Sequence, residues 1–223
     1  MNSVLINGHQ GLGDHIECHG IIRHYAELFD QVSVLCILPH NVEALRYMYR
    51  DNPRIKVVTQ EEQPVTIHYK VQFPAICENV LELYGVAMGG NNAAMKFYGK
   101  AEVPFKFRKE KFYLERDLEE EKRTLDLLNP NGEDFIFIHD DPLRGFNIDI
   151  DTDLKVIRNT PDVSFFSMLG VIAKAKEIHC MSSSYFCLID CMPDSAFKAP
   201  KFYHNLRGVI LDGGGMQSNW TYV

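Results

Sequence analysis

Three short stretches of the chain gather residues able to handle a proton, a phosphate or a hydroxyl. They are Gly11-Leu12-Gly13-Asp14, His139-Asp140-Asp141-Pro142-Leu143-Arg144, and His179-Cys180-Met181-Ser182-Ser183-Ser184. In the first, Gly11 and Gly13 let the backbone come close to a ligand, and a following helix start favours negative charge. The spacing, G-x-x-G-x-G from Gly8, differs from the dinucleotide fingerprint, and Leu38-Pro39-His40-Asn41 after the next strand lacks the ribose-binding acid. A carboxylate at Asp14 can take a proton from an attacking hydroxyl or simply cap the helix, and the sequence leaves both open.

The second stretch loads a strand end with His139, Asp140, Asp141 and Arg144. Such a cluster is costly to fold and is rarely needed for stability. The Arg144 guanidinium suits a phosphate. Asp140 and Asp141 can orient sugar hydroxyls or neutralise Arg144, and a salt-bridged structural turn is the plainer alternative. In the third stretch, Ser182, Ser183 and Ser184 offer hydroxyls and unpaired backbone N–H groups at the positive end of a helix, which suits a diphosphate. N-capping alone needs one serine. His179 reads either as a ligand group or as a satisfied core histidine. Arg207 is a further cation able to serve the same phosphate.

The elements that must position these groups alternate. Val4 to Asn7 and Val32 to Leu38 read as buried strands. Between them, Ile16, Ile21, Ile22, Tyr25, Leu28 and Phe29 recur at helical spacing. Asn41 stands where it can cap a helix through Met48. Ile55 to Val58 and Val65 to Tyr69 are further strands, Ala75 to Tyr84 reads as helical, and Gly89 to Asn92 as a loop. From Lys100 to Gly132 the character changes. Phe105, Phe107, Phe112 and Leu114 suggest extended chain, and Asp117 with Glu120 forms a capping box for a charged helix ending near Leu128. The rhythm then restarts. Phe135 to His139 is a strand, Thr160-Pro161 opens a helix carrying Val163, Phe166, Leu169, Ile172 and Ala173, and Glu177 to Met181 is a strand. Tyr185 to Ile189 follows as an apolar helix and Lys201 to His204 as a last strand. This pattern predicts an α/β protein of two Rossmann-like halves with mostly parallel sheets. The expected division is 1–104, a linker strand and charged helix over 105–132, and 133–223.

Composition narrows the partners. A formal net charge of −7 argues against nucleic acid, and the one dense basic run, Lys106 to Lys111, reads as a solvated strand edge or loop. The six cysteines have no metal-site spacing, so no metal is expected. No apolar run approaches the ~20 residues that span a bilayer, and Met1 to Gly8 lacks the pattern of a signal peptide, so a cytoplasmic location is expected.

Leu5-Ile6 followed by Gly11-Leu12-Gly13-Asp14 and an amphipathic helix resembles the N-terminus of heptosyltransferase-like GT-B glycosyltransferases. That resemblance implies that Asp14 is the base deprotonating an acceptor hydroxyl. Phe137-Ile138-His139 with Arg144, and Ile178-His179-Cys180 with Ser182 to Ser184, look like the donor half of fucosyltransferase-type GT-B enzymes, where such groups hold the nucleotide diphosphate. The Asp-Asp-Pro-Leu segment before Arg144 departs from the family's basic motif. The resemblance implies a compact, metal-independent GT-B-like glycosyltransferase without a bound cofactor. A nucleotide-sugar would be held in the cleft between the halves by Gly11, Gly13, His139, Asp140, Asp141, Arg144, His179, Ser182, Ser183, Ser184 and Arg207, with a glycan or other hydroxyl compound as acceptor. A nucleotide-sugar epimerase or hydrolase, and a non-catalytic nucleotide- or sugar-binding module, remain as alternatives.

Overall fold

Strand β1 (Ser3–Asn7) is buried at every residue, as a parallel strand covered on both faces requires. The computed structural model describes residues 2–8, 11–59, 61–62, 79–83, 92–209 and 218–223. After β1 come α1 (Leu12–Glu17) and α2 (His19–Leu28), then β2 (Gln31–Cys36), α3 (Val42–Tyr49), β3 (Ile55–Thr59) and β4 (Asn79–Glu82). The four strands lie in the order β3-β2-β1-β4, all parallel. That order, 3-2-1-4, is one half of a doubly wound Rossmann sheet.

Of the helix expected over Ala75 to Tyr84, the described residues 79–83 form strand β4 and the residue after it instead, and the rest lies outside the described residues. The free edge of β1 needs a hydrogen-bonding partner, and pairing Ile6 with Leu81 supplies one, continued by Leu83 N–H to the Asn7 carbonyl at 2.9 Å. The strand expected at Val65 to Tyr69 and the loop at Gly89 to Asn91 lie outside the described residues. Asn41 occupies the cap position of α3 without a side-chain capping bond; a single 3-10 turn, Pro39–Asn41, leads the chain in instead.

Helix α4 (Ala93–Lys100) is followed by the four-residue α5 (Phe107–Glu110), which corrects the extended chain expected at Phe107, while Phe112 and Leu114 lie in chain outside any helix. Arg108 drives the difference. It is fully buried and bidentate on Glu17, with Nη2 2.8 Å from Oε1 and Nε on Oε2. The basic run is therefore not a solvated edge. Gly20 allows this packing, because a Cβ there would lie 2.2 Å from the Phe107 carbonyl oxygen. Nearby, Arg23 forks onto Asp51 at 2.6 and 2.7 Å and donates to His19 Nε2 at 3.0 Å.

The chain divides into two compact units, Met1–Glu115 and Arg116–Val223. The stretch 105–132 is thus shared between them. The second unit begins with α6 (Leu118–Leu128), whose Asp117 caps it by accepting from Glu120 N–H at 3.0 Å. Then follow β5 (Phe135–His139), β6 (Lys155–Arg158), α7 (Met168–Lys174), β7 (Ile178–Met181), α8 (Ser184–Cys191), β8 (Lys201–His204) and β9 (Thr221–Tyr222). The sheet order is β6-β5-β7-β8-β9, again all parallel. Numbered within the unit this is 2-1-3-4-5, the flavodoxin-like winding.

Helix α7 starts at Met168 rather than at Pro161. Thr160 is drawn into a local turn with Asp162, its hydroxyl donating to the carboxylate at 2.7 Å, so it caps no helix. Gly170 lies against α6, where a Cβ would meet the Glu121 carbonyl at 2.8 Å. On the other face of the sheet the link from β5 to β6 is an irregular strap. Its Ile148, with Phe146, Ile150 and Leu154, closes over Ile136, Ile138 and Met181. The tail is tied to α8 by Asp190, which accepts from Ser218 N–H at 2.8 Å and Trp220 Nε1–H at 3.0 Å. The Trp220 ring packs on Phe186 with centroids 4.9 Å apart. Among the described residues no helix is long and apolar enough to cross a membrane.

Candidate active site

Open parallel sheets bind ligands beyond the carboxyl ends of their strands, at the point where the strand order reverses. In the first unit that point lies between β1 and β4, and the chain leaving β1 there is the glycine turn. Gly11 has extended backbone and takes the cap position of α1, so Asp14, the third residue of the helix, is not its cap. A Cβ on Gly11 would lie 2.8 Å from Asp14 Oδ2. Glycine is therefore what lets the carboxylate fold back over the turn. Gly13 sits in the first helical turn, and Gly11, Gly13 and Asp14 are all half-buried.

In the second unit the reversal falls between β5 and β7. The residues that leave these two strands are His139 and Ser182 to Ser184. Ser183 is the cap residue of α8 without a side-chain capping bond, and its carbonyl accepts from Cys187 N–H at 3.0 Å. Capping thus does not consume the Ser183 hydroxyl. All three serines are half-buried. Arg207, leaving β8, donates from Nη1 to the Ser182 carbonyl at 3.0 Å, which puts a guanidinium at the serine corner. A charge, hydroxyls and the first turn of α8 thus lie together, a combination whose chemistry suits an anion.

His139 is buried beside this corner. Its register partner on β7 is Cys180, and its ring meets Tyr185, the second residue of α8, edge-on at 4.8 Å. Nδ1 bonds Asn159 Oδ1 at 2.8 Å, whereas Nε2 is buried without a partner among the described residues. Burial lowers its pKa, with Asn159 and the two aspartates opposing the shift.

The Asp-Asp-Pro-Leu-Arg segment splits in role. Asp140 is buried and bonded to Arg158, and it accepts from Ile148 N–H at 3.0 Å, so its carboxylate fastens the strap. Asp141 bridges Phe146 and pairs with Arg144 at 3.3 Å, and Gly145, with φ 80°, closes the turn. Arg144 is exposed at its tip. His179 is not brought to the corner. Its Nε2 meets Glu177 at 3.1 Å, its Nδ1 meets His204 Nε2 at 3.0 Å, and its ring stacks on Phe202. Burial lowers its pKa; burial and then His179 bring His204 to about 4. Burial pushes the Cys180 thiol up.

Sequence reasoning missed Asn159 and Tyr185. Asn159 stands just after β6 and meets His139 only because β6 lies beside β5 in the sheet. Nothing in the local sequence marks that adjacency. Tyr185 was legible only as part of an apolar helix. Among the described residues no group of three or more histidine, cysteine, aspartate or glutamate side chains is placed to hold a metal.

No family model and no curated protein matches the sequence. Solved structures do. A glycosyl transferase of family 9 from Veillonella parvula is similar over 100% of this chain and 86% of its own, with 8% identity and a TM-score of 0.60. The Escherichia coli ADP-heptose lipopolysaccharide heptosyltransferase II matches over 100% and 90%, with 10% identity and a TM-score of 0.56. The iron-containing dodecameric glycosyltransferase TibC of enterotoxigenic E. coli matches over 91% and 57%, with 10% identity and a TM-score of 0.51. The heptosyltransferase side of the sequence resemblance has its counterpart here, while none of the three carries the fucosyltransferase detail. The chain has the two-unit, Rossmann-like GT-B fold of these glycosyltransferases.

Proposed function

We propose that the protein is a glycosyltransferase that moves a sugar from a nucleotide-sugar to a hydroxyl acceptor without a metal ion. The observation that carries this reading is the serine corner. Three serines and the Arg207 guanidinium meet at the start of α8, beside the strand-order reversal, in a fold shared with solved glycosyltransferases.

In this reading Ser182, Ser183 and Ser184 hold the diphosphate through hydroxyls and backbone N–H groups. Arg207 offsets the charge that builds on the leaving phosphate as the bond between it and the sugar's anomeric carbon breaks. Arg144, already paired with Asp141, gives weaker electrostatic help. Asp14 takes the proton of the acceptor hydroxyl as its oxygen bonds to the anomeric carbon. The products are the glycosylated acceptor and a nucleoside diphosphate, with the proton left on the Asp14 carboxyl. Asp140 and His179 serve the fold around the site, since their polar atoms are engaged within the unit.

Asp14→Asn tests the reaction. Transfer should fall by roughly 100-fold or more while donor affinity stays within about twofold. Unchanged turnover removes Asp14 from its role. Donor binding without transfer or hydrolysis by the wild type points instead to a binding module.

A further inference from the structure

The buried, unpartnered Nε2 of His139 has a use that phosphate binding does not explain. Asn159 Oδ1 can only accept, so at 2.8 Å it fixes the proton of the neutral ring on Nδ1. Nε2 is then a bare lone pair. It has no partner among the described residues, in a residue 6% exposed. A buried acceptor left unsatisfied is costly, and native proteins keep few of them. A lone pair repels phosphate oxygens, so the missing partner is a hydrogen-bond donor.

The sheet says what kind of donor. His139 pairs in register with Cys180, two residues before Ser182, and its ring lies against the first turn of α8. Two residues of strand span about 7 Å. A ligand whose diphosphate rests on Ser182 to Ser184 carries, one bond beyond each phosphate, a polyol: the ribose on one side and the transferred sugar on the other. The base lies farther away. We propose that His139 Nε2 accepts a hydrogen bond from a hydroxyl of the ribose or sugar flanking the diphosphate, with Asn159 as the positioning residue that holds the required tautomer. The proposal rests on the serine corner being a nucleotide-sugar site. It assigns His139 to reading hydroxyls rather than to binding phosphate.

Calorimetry with UDP, GDP, ADP and dTDP, and with UDP-glucose, GDP-mannose, ADP-glucose and dTDP-glucose, identifies the pair that wild-type protein binds. His139→Phe keeps the ring and removes the lone pair, and should weaken binding about tenfold or more. His139→Gln, which restores an acceptor oxygen, should recover part of the loss. Asn159→Leu should mimic the phenylalanine variant, because the proton is then free to sit on Nε2. A loss shared by the diphosphate and the nucleotide-sugar assigns the contact to ribose; a loss confined to the nucleotide-sugar assigns it to the sugar. Wild-type affinity in His139→Phe overturns the proposal and leaves the donor site standing. Failure of the wild type to bind any of the eight compounds overturns both. Should a variant fold poorly, nitrogen-15 imidazole spectra of the wild type decide the tautomer: a protonated Nε2 with a bare Nδ1 overturns the proposal.

Discussion

Arg207 donates to the carbonyl of Ser182 at 3.0 Å, so the turn leaving β8 delivers a cation to the corner that opens α8. A backbone carbonyl is a weak partner for a guanidinium, and an arriving phosphate makes the stronger one. Arg207→Ala should lower nucleoside diphosphate affinity by about tenfold or more, and by more than Arg144→Ala, whose guanidinium is already paired with the Asp141 carboxylate. Calorimetry at two salt concentrations measures both; a larger loss for Arg144 would reverse their assigned order.

The buried Glu17–Arg108 pair should behave as a lock rather than as a reserve of stability. Removing one partner takes a bidentate counter-charge away from the other inside the fold. Arg108→Met or Glu17→Gln should therefore cost about 3–5 kcal/mol in urea unfolding. The double replacement Glu17→Leu with Arg108→Met should recover much of that loss, and a double mutant as unstable as the sum of the singles would contradict the assignment.

Two glycines in the first unit should respond in opposite directions. Gly20→Ala places a Cβ 2.2 Å from the Phe107 carbonyl and 2.5 Å from Tyr98 Oη, so backbone must shift and α5 should loosen from α2. A loss of about 1–3 kcal/mol is expected. Gly99, inside α4, has open space where its Cβ would go. Gly99→Ala should stabilise by about 0.5–1 kcal/mol. Thermal melts of the two variants are the check.

Acid should weaken the fold before it protonates the carboxylates in bulk. Burial and then His179 bring His204 down to about 4 from 6.5, and burial with Arg23 holds His19 well below its usual range. In that window the unfolded chain binds more protons than the folded one, so stability rises with pH and the contribution is complete above about 6.5. The urea midpoint at about pH 5 should lie below that at about pH 7.5. His19→Phe should reduce the difference, because its Nε2 accepts from both Arg23 and Tyr113 N–H and cannot take a proton without breaking those bonds. An unchanged difference would take His19 out of the account.

The local rules served where the elements fold by themselves. The β1 run, the glycine turn and the serine corner were all readable, because apolar runs ending in glycine or serine carry their own signal. The capping of α6 by Asp117 was readable for the same reason. What the sequence hid was set by neighbours far along the chain. Strand β4 exists because β1 has an open edge, and Arg108 turns inward because Glu17 waits there. Asn159 finds His139 only through the lateral order of the strands, and Asp140 is drawn into the strap by Arg158. These are tertiary choices, and composition or spacing could not rank them.

The tie between Trp220 and Asp190 makes the molecule its own optical probe. The chain has a single tryptophan, and its indole is fastened to the helix whose opposite end begins at the serines. Eight helical residues span about 12 Å, and a rigid rod that short carries a tug at one end to the other. A nucleoside diphosphate bound at the proposed serine corner should therefore shift the emission of this one chromophore, and a label-free fluorescence titration checks it.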